Sequence, residues 1–257
     1  MTSIELQSVG VDFPLYGGGS RLLTKRLMHL GTGGRIGRDA SDRVCVQALR
    51  EVSLSFRHGD RVGLIGHNGA GKTTLLRVLA GVYEPSHGIV RCEGQVVALF
   101  DPALGMDMEA TGYENIALRG LILGLSPKEI REHADAIADF TELGDYLDMP
   151  VRTYSSGMML RLAFAVSTSI SPDILLMDEW IVAGDSQFME KAHARMESFV
   201  SRSSILVLAS HSLDMLCQWC DKAVLLKEGR VIAFGPIQDV LGRYSAPPAD
   251  PPAAAVG

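Results

Sequence analysis

An α/β fold, a mainly parallel sheet wrapped by helices, is the architecture this sequence predicts, and three observations predict it. Short runs rich in Val, Ile and Leu recur along the chain, several of them are apolar on consecutive positions, and they alternate with stretches of helical spacing. A strand that is apolar at every position has both faces buried. A parallel sheet flanked by helices provides that burial; a sheet with one wet face does not. The runs are IELQSVGVDF, VSLSFR and RVGLIG near the start, followed by QVVALF, DILLMD, SILVLAS and KAVLLKEG.

The middle of the chain interrupts this alternation. No convincing strand occurs from about Thr111 to Ser171, and SPKEIREHADAIADFTEL opens with Ser126 three residues before Glu129 and with Pro127 at the first helical position. That spacing is a capping box at a helix start. The expected organisation is one domain over residues 1–243, with residues 1–101 and 172–243 forming the core and residues 102–171 an inserted helical subdomain. Beyond Tyr244 the sequence APPADPPAAAVG is too rich in Pro and Ala for a packed element, so residues 244–257 are expected to form a flexible tail.

Composition bounds the function. A chain of 257 residues with 47% hydrophobic residues buries a full core. The net charge of -6 argues against a general nucleic-acid binder, which needs a positive surface to neutralise phosphates. No apolar run approaches the roughly 18 residues that span a bilayer, and the start MTSIELQSVG lacks the basic and apolar regions of a signal peptide. A cytoplasmic chain is expected. Cys45, Cys92, Cys217 and Cys220 are scattered without the density of a disulfide framework. Cys217 and Cys220 form a CxxC pair, but no second ligand pair completes a zinc site, and the helical apolar spacing of LDMLCQWCD predicts buried thiols.

Chemistry enters with RVGLIGHNGAGKTTLLRVLAG. Here Gly66, His67, Asn68, Gly69, Ala70, Gly71, Lys72 and Thr73, with Thr74 next, follow a strand and open a helix, the context that makes GxxxxGKT a phosphate loop. Glycines let backbone amides converge on phosphates at a helix N-terminus. Lys72 is then expected to reach the terminal phosphates and the Thr73 hydroxyl to bind Mg2+. A magnesium nucleotide site also needs a carboxylate at the end of a neighbouring buried strand, and ILLMD supplies Asp178. Glu179 follows as the candidate for polarising the attacking water. A third feature is YSSGM at residues 154–158, ahead of the helical MLRLAFAVSTS. Helix capping by Ser155 or Ser156 is one explanation.

The order GHNGAGKTT, YSSGM, ILLMDEW, Gly184-Asp185 and Ser210-His211 resembles the ATP-binding cassette ATPases over residues 4 to 243. The resemblance implies a P-loop NTPase core with an antiparallel β part at its N-terminal end. YSSGM then resembles the cassette signature, whose Ser and Gly, here Ser155 and Gly157, contact the γ-phosphate of ATP bound to the other subunit of a homodimer. Asp185, with Gly184, stands at the loop linking the two sites, and His211 at the switch histidine that senses the γ-phosphate. Phe13 and Tyr16 are the two candidates for stacking on adenine.

The sequence departs from the family pattern in three places. Ser156 and Met158 replace Gly and Gln in the signature, Trp180 replaces the Pro after the catalytic Glu, and no Gln lies where the loop into the helical subdomain should carry one. Asp101 is the nearest polar stand-in. LDMPVRTYSSGMMLRLAFA, TGYENIALRG and AGDSQFMEKA look like the ATPases that export O-antigen, capsular and teichoic polysaccharides. The chain is similar to the short members, which lack a C-terminal carbohydrate-binding domain. This implies a peripheral subunit on the cytoplasmic face of the inner membrane that works with an integral permease of the ABC-2 type on a lipid-linked glycan. A lipid or drug exporter is the alternative within the family, and a soluble cassette protein without a permease the alternative outside transport. The segment from Gly17 to Arg43 exceeds a minimal cassette. RLLTKRLMHL places Leu23, Leu27 and Leu30 on one helical face, and Arg21, Lys25 and Arg26 either meet lipid-linked substrate or remain solvated.

Overall fold

Two sheets and a helical insertion are assembled in the computed structural model, which describes residues 2–14, 36–38, 44–100, 105–178 and 186–245. The first sheet is antiparallel, in the order β2-β3-β1-β5, and comprises β1 (Ser3–Pro14), β2 (Ile36–Arg38), β3 (Val44–Arg57) and β5 (His87–Glu93). The second has the order β10-β9-β4-β8-β7-β6, from β4 (Arg61–Ile65), β6 (Val96–Leu99), β7 (Ile174–Asp178), β8 (Ile205–Ala209), β9 (Lys222–Lys227) and β10 (Arg230–Pro236). All its pairings are parallel except β9 with β10.

The burial pattern explains the parallel core. Along β7, Ile174 and Leu176 face a cluster shared with the antiparallel sheet and with α1 (Lys72–Leu79), while Leu175 and Met177 face a second cluster under the remaining helices. Both faces are dry, so apolar residues occupy every position of ILLM. Each such side chain contributes about 1.5–3 kcal/mol on burial.

The helical subdomain fills the crossover from β6 to the parallel strand β7. Its helices are α2 (Gly112–Ile122), α3 (Pro127–Thr141) and α4 (Ser156–Ser167), with 3-10 turns at Gly144–Asp148 and Val151–Thr153. At the start of α3, Ser126 Oγ accepts from the Glu129 amide at 3.3 Å and Glu129 Oε2 accepts from the Ser126 amide at 2.8 Å. This exchange holds the Glu129 carboxyl below the usual carboxylate range, chiefly through its bonds from Ser126. Helices α5 (Ser186–Arg202), α6 (Leu213–Trp219) and α7 (Ile237–Ser245) complete the core.

Several sequence expectations change here. VSLSFR is only the second half of a longer strand, β3, and part of the segment from Gly17 to Arg43 is strand β2. Neither β5 nor β10 follows from apolar runs, because β5 is largely exposed and β10 is an edge strand. Cys217 is exposed, contrary to the expectation of two buried thiols, whereas Cys220 is buried, and its thiol is pushed up to about 12 by that burial and secondarily by Asp221. Among the described residues no group of three or more His, Cys, Asp or Glu gathers to hold a metal. Tyr16, the basic helix at residues 21–30, Asp101, Glu179, Trp180, Gly184, Asp185 and residues 246–257 lie outside the described residues.

Candidate nucleotide site

The loop after β4 turns sharply into α1. Gly66 has φ 154, and a Cβ there would stand 2.4 Å from the Leu226 carbonyl oxygen, so no other residue fits beside β9. Gly71 caps α1 in a left-handed conformation. The turn between β9 and β10 braces the loop from below: the Gly229 amide donates to the Ala70 carbonyl at 2.9 Å, and the Arg50 amide donates to the Gly229 carbonyl at 2.8 Å. Gly229, at φ 76, would clash with the Ala48 carbonyl if it carried a Cβ, at 2.6 Å. Its bracing role was not legible in the sequence, where KEG reads only as the end of a strand.

A cleft of about 450 Å³ lies over this loop. It brings together Asn68, Gly69, Ala70, Gly71, Lys72, Thr73 and Thr74 with Asp178 from the end of β7 and His211 from the segment after β8. Asp178 and Ala209 are register partners, so these two strand ends deliver their residues to the same edge of the sheet. Lys72 is buried, and its Nζ donates to the Gly66 carbonyl at 2.6 Å. Gly66 and His67 shape the start of the loop without lining the cleft, and His67 Nδ1 lies 2.8 Å from the Asn68 carbonyl oxygen. Sequence reasoning missed Val46 and Ala48, alternate residues of β3, and Ala209 at the end of β8, which also line the cleft. Only strand register places them there.

Phe13 pairs across β1 and β3 with Val46, which sets it at the rim, but its ring packs edge-on against Tyr83 with centroids 5.3 Å apart. It does not line the cleft. Thr73 and Asp178 both line this cleft, and a hydroxyl with a carboxylate suits a magnesium ion that takes most of its ligands from water and phosphate.

Ser155 and Gly157 stand apart from this cleft, at a shallower depression of about 350 Å³ with Glu142, Tyr146 and Arg161. Ser155 does cap α4, its Oγ accepting from the Met158 amide at 3.2 Å. Capping does not account for the glycine, however. Among the described residues a Cβ at Gly157 would meet only Ser155 Oγ, at 3.9 Å, and none of them demands so small a residue.

The description ABC transporter matches residues 49–182. The chain is 46% identical to the O-antigen export system ATP-binding protein RfbE of Yersinia enterocolitica, covering 90% of this chain and 97% of that protein. It is 42% identical to the O-antigen export system ATP-binding protein RfbB of Myxococcus xanthus over 82% of its own length, spanning 48% of that relative. The teichoic acids export ATP-binding protein TagH of Lactococcus lactis is 37% identical, with 81% of this chain and 45% of that protein covered. In fold it matches a solved ATP-binding subunit of an ABC transporter with a TM-score of 0.67 at 22% identity, covering 94% of this chain and 92% of that one. A dimeric ATP-binding cassette bound to ADP and phosphate gives 0.64 at 19%, with 91% and 98% covered. From its phosphate loop to its inserted helices, the chain belongs to the ABC transporter family as an ATP-hydrolysing cassette.

Proposed function

We propose that this cassette drives export of a lipid-linked polysaccharide of the O-antigen or capsular type through a separate ABC-2 permease, working as a peripheral subunit on the cytoplasmic face of the inner membrane. The similarity to RfbE over nearly the full length of both chains supports the polysaccharide class. Among the described residues, no helix is long and apolar enough to cross a membrane.

The observation that carries the mechanism is the separation of two half-sites. One chain presents a phosphate loop in one cleft and Ser155 with an unobstructed Gly157 in another depression. Two chains in head-to-tail arrangement lay the signature turn of each over the nucleotide of the other, where a bare backbone approaches phosphate closely. Lys72 and the loop amides would bind and orient the triphosphate, Thr73 and Asp178 would hold a magnesium ion to shield its charge, and His211 would sense the γ-phosphate. Glu179 withdraws a proton from the attacking water, and Asp185 links the two sites.

Glu179→Gln keeps the shape of the carboxylate but not its charge. ATP binding should survive while hydrolysis is lost, and the trapped nucleotide should hold two subunits together by mass action. Light scattering should show a dimer with ATP and magnesium and a monomer with ADP. Adding Ser155→Arg should abolish the dimer; a dimer that persists would leave YSSGM as a helix cap only.

A further inference from the structure

A cluster outside the nucleotide cleft ties the signature helix α4 to α5. Glu142, just past the end of α3, sits at φ 56 without being glycine. That conformation is strained for any residue with a Cβ and persists where surroundings impose it. Here the carboxylate serves two helices: Oε1 accepts from Lys191 Nζ of α5 at 2.8 Å, and Oε2 lies 3.7 Å from Arg161 Nη1 of α4. The Arg161 guanidinium covers the buried ring of Phe188 at 4.3 Å. Phe188 belongs to the first turn of α5, directly after residues 179–185. Arg195, further along α5, donates to Thr168 Oγ1 at 2.7 Å and to the Ala165 carbonyl at 3.2 Å, at the other end of α4. The two helices therefore grip each other at both ends, and the grip near the signature turn passes through Glu142 and Arg161.

Exposed ion pairs usually contribute little, and that is the competing explanation. Two features weigh against it. The Arg161 side chain is only 16% exposed and lies on an aromatic face, where a guanidinium is worth more than in water. The Phe188 ring beneath that guanidinium is itself buried, so the contact lies largely out of water.

We propose that Glu142 and Arg161 are positioning residues for ATP hydrolysis. They set the signature turn, which faces the partner's nucleotide in the dimer proposed above, against the first turn of α5, which follows the segment bearing Glu179. The inference rests on that dimer.

Glu142→Gly separates this role from simple stability, because it removes the carboxylate and relieves the strain together. In the full chain, turnover should fall about tenfold while the ATP affinity of the isolated subunit stays within about twofold and the melting temperature does not drop. Arg161→Met should fall similarly, Arg161→Lys should recover part of the loss by keeping charge without planar stacking, and the Glu142→Gly, Arg161→Met pair should cost no more than the worse single change. Wild-type turnover in Glu142→Gly, a fall that follows a lowered melting temperature, or effects that multiply in the pair would each overturn the proposal. Ser155→Arg measured alongside keeps the two ideas distinct. If it abolishes turnover while Glu142→Gly is normal, the positioning role alone fails; if it has full turnover, the shared site fails and takes the positioning role with it.

Discussion

Lys72 Nζ, folded back onto the Gly66 and His67 carbonyl oxygens, stands where a triphosphate would offer it anionic oxygens in place of neutral ones. On the proposed reading, that exchange strengthens the bond and gives this side chain a share of the ATP affinity. Lys72→Ala should weaken ATP binding by at least about tenfold in calorimetry, while the fold, held by Leu75 and Leu76 on the buried face of α1, stays intact. Unchanged affinity would remove Lys72 from the phosphate site. The loop residues were legible in the sequence because their spacing encodes a turn that few other residues permit. Val46 and Ala48 were not, because a wall contributed by a strand depends on how distant strands align, and no local pattern records that alignment.

At the scale of elements, the helical subdomain depends on its caps. The Thr111 hydroxyl accepts from the Glu114 amide at 3.2 Å, and Glu114 Oε2 accepts from the Thr111 amide at 2.8 Å. The same corner carries the isolated bridge between Thr111 and Pro150 and the buried Asn115, whose Nδ2 donates to the Asp107 carbonyl at 2.8 Å. Thr111→Ala should lower stability by about 1 kcal/mol, the usual cost of losing an N-cap, and should leave ATP affinity unchanged, since the nucleotide cleft has no wall from α2. Denaturant titration beside calorimetry checks both. The Ser126 capping box and the apolar strands were readable because each is local. Edge and exposed strands such as β10 and β5 were not, since pairing to a neighbour defines them more than their own composition does.

For the whole molecule, the decisive feature is the central place of β4, the strand that delivers the phosphate loop. Its two neighbours are β8 and β9: Arg61 aligns with Leu206, and Val62 with Lys222. A chain stopped after Ser203 therefore loses both partners of β4 and the wall that carries His211. Such a fragment should bind no ATP in calorimetry and should collect in the insoluble fraction, whereas a nucleotide-binding fragment would show that α1 and the antiparallel sheet suffice.

The same alignment has a consequence for synthesis. Residues 61–65 leave the ribosome with Val62, Leu64 and Ile65 ready for burial, but the strands that flank them are translated only after the whole helical subdomain. At roughly 5–20 residues per second the wait is of order ten seconds, long enough for an unpaired apolar strand to meet another nascent chain. The nascent cassette thus carries an unpaired apolar strand for much of its time on the ribosome, and within its sheet the nucleotide-binding strand waits longest for a first neighbour.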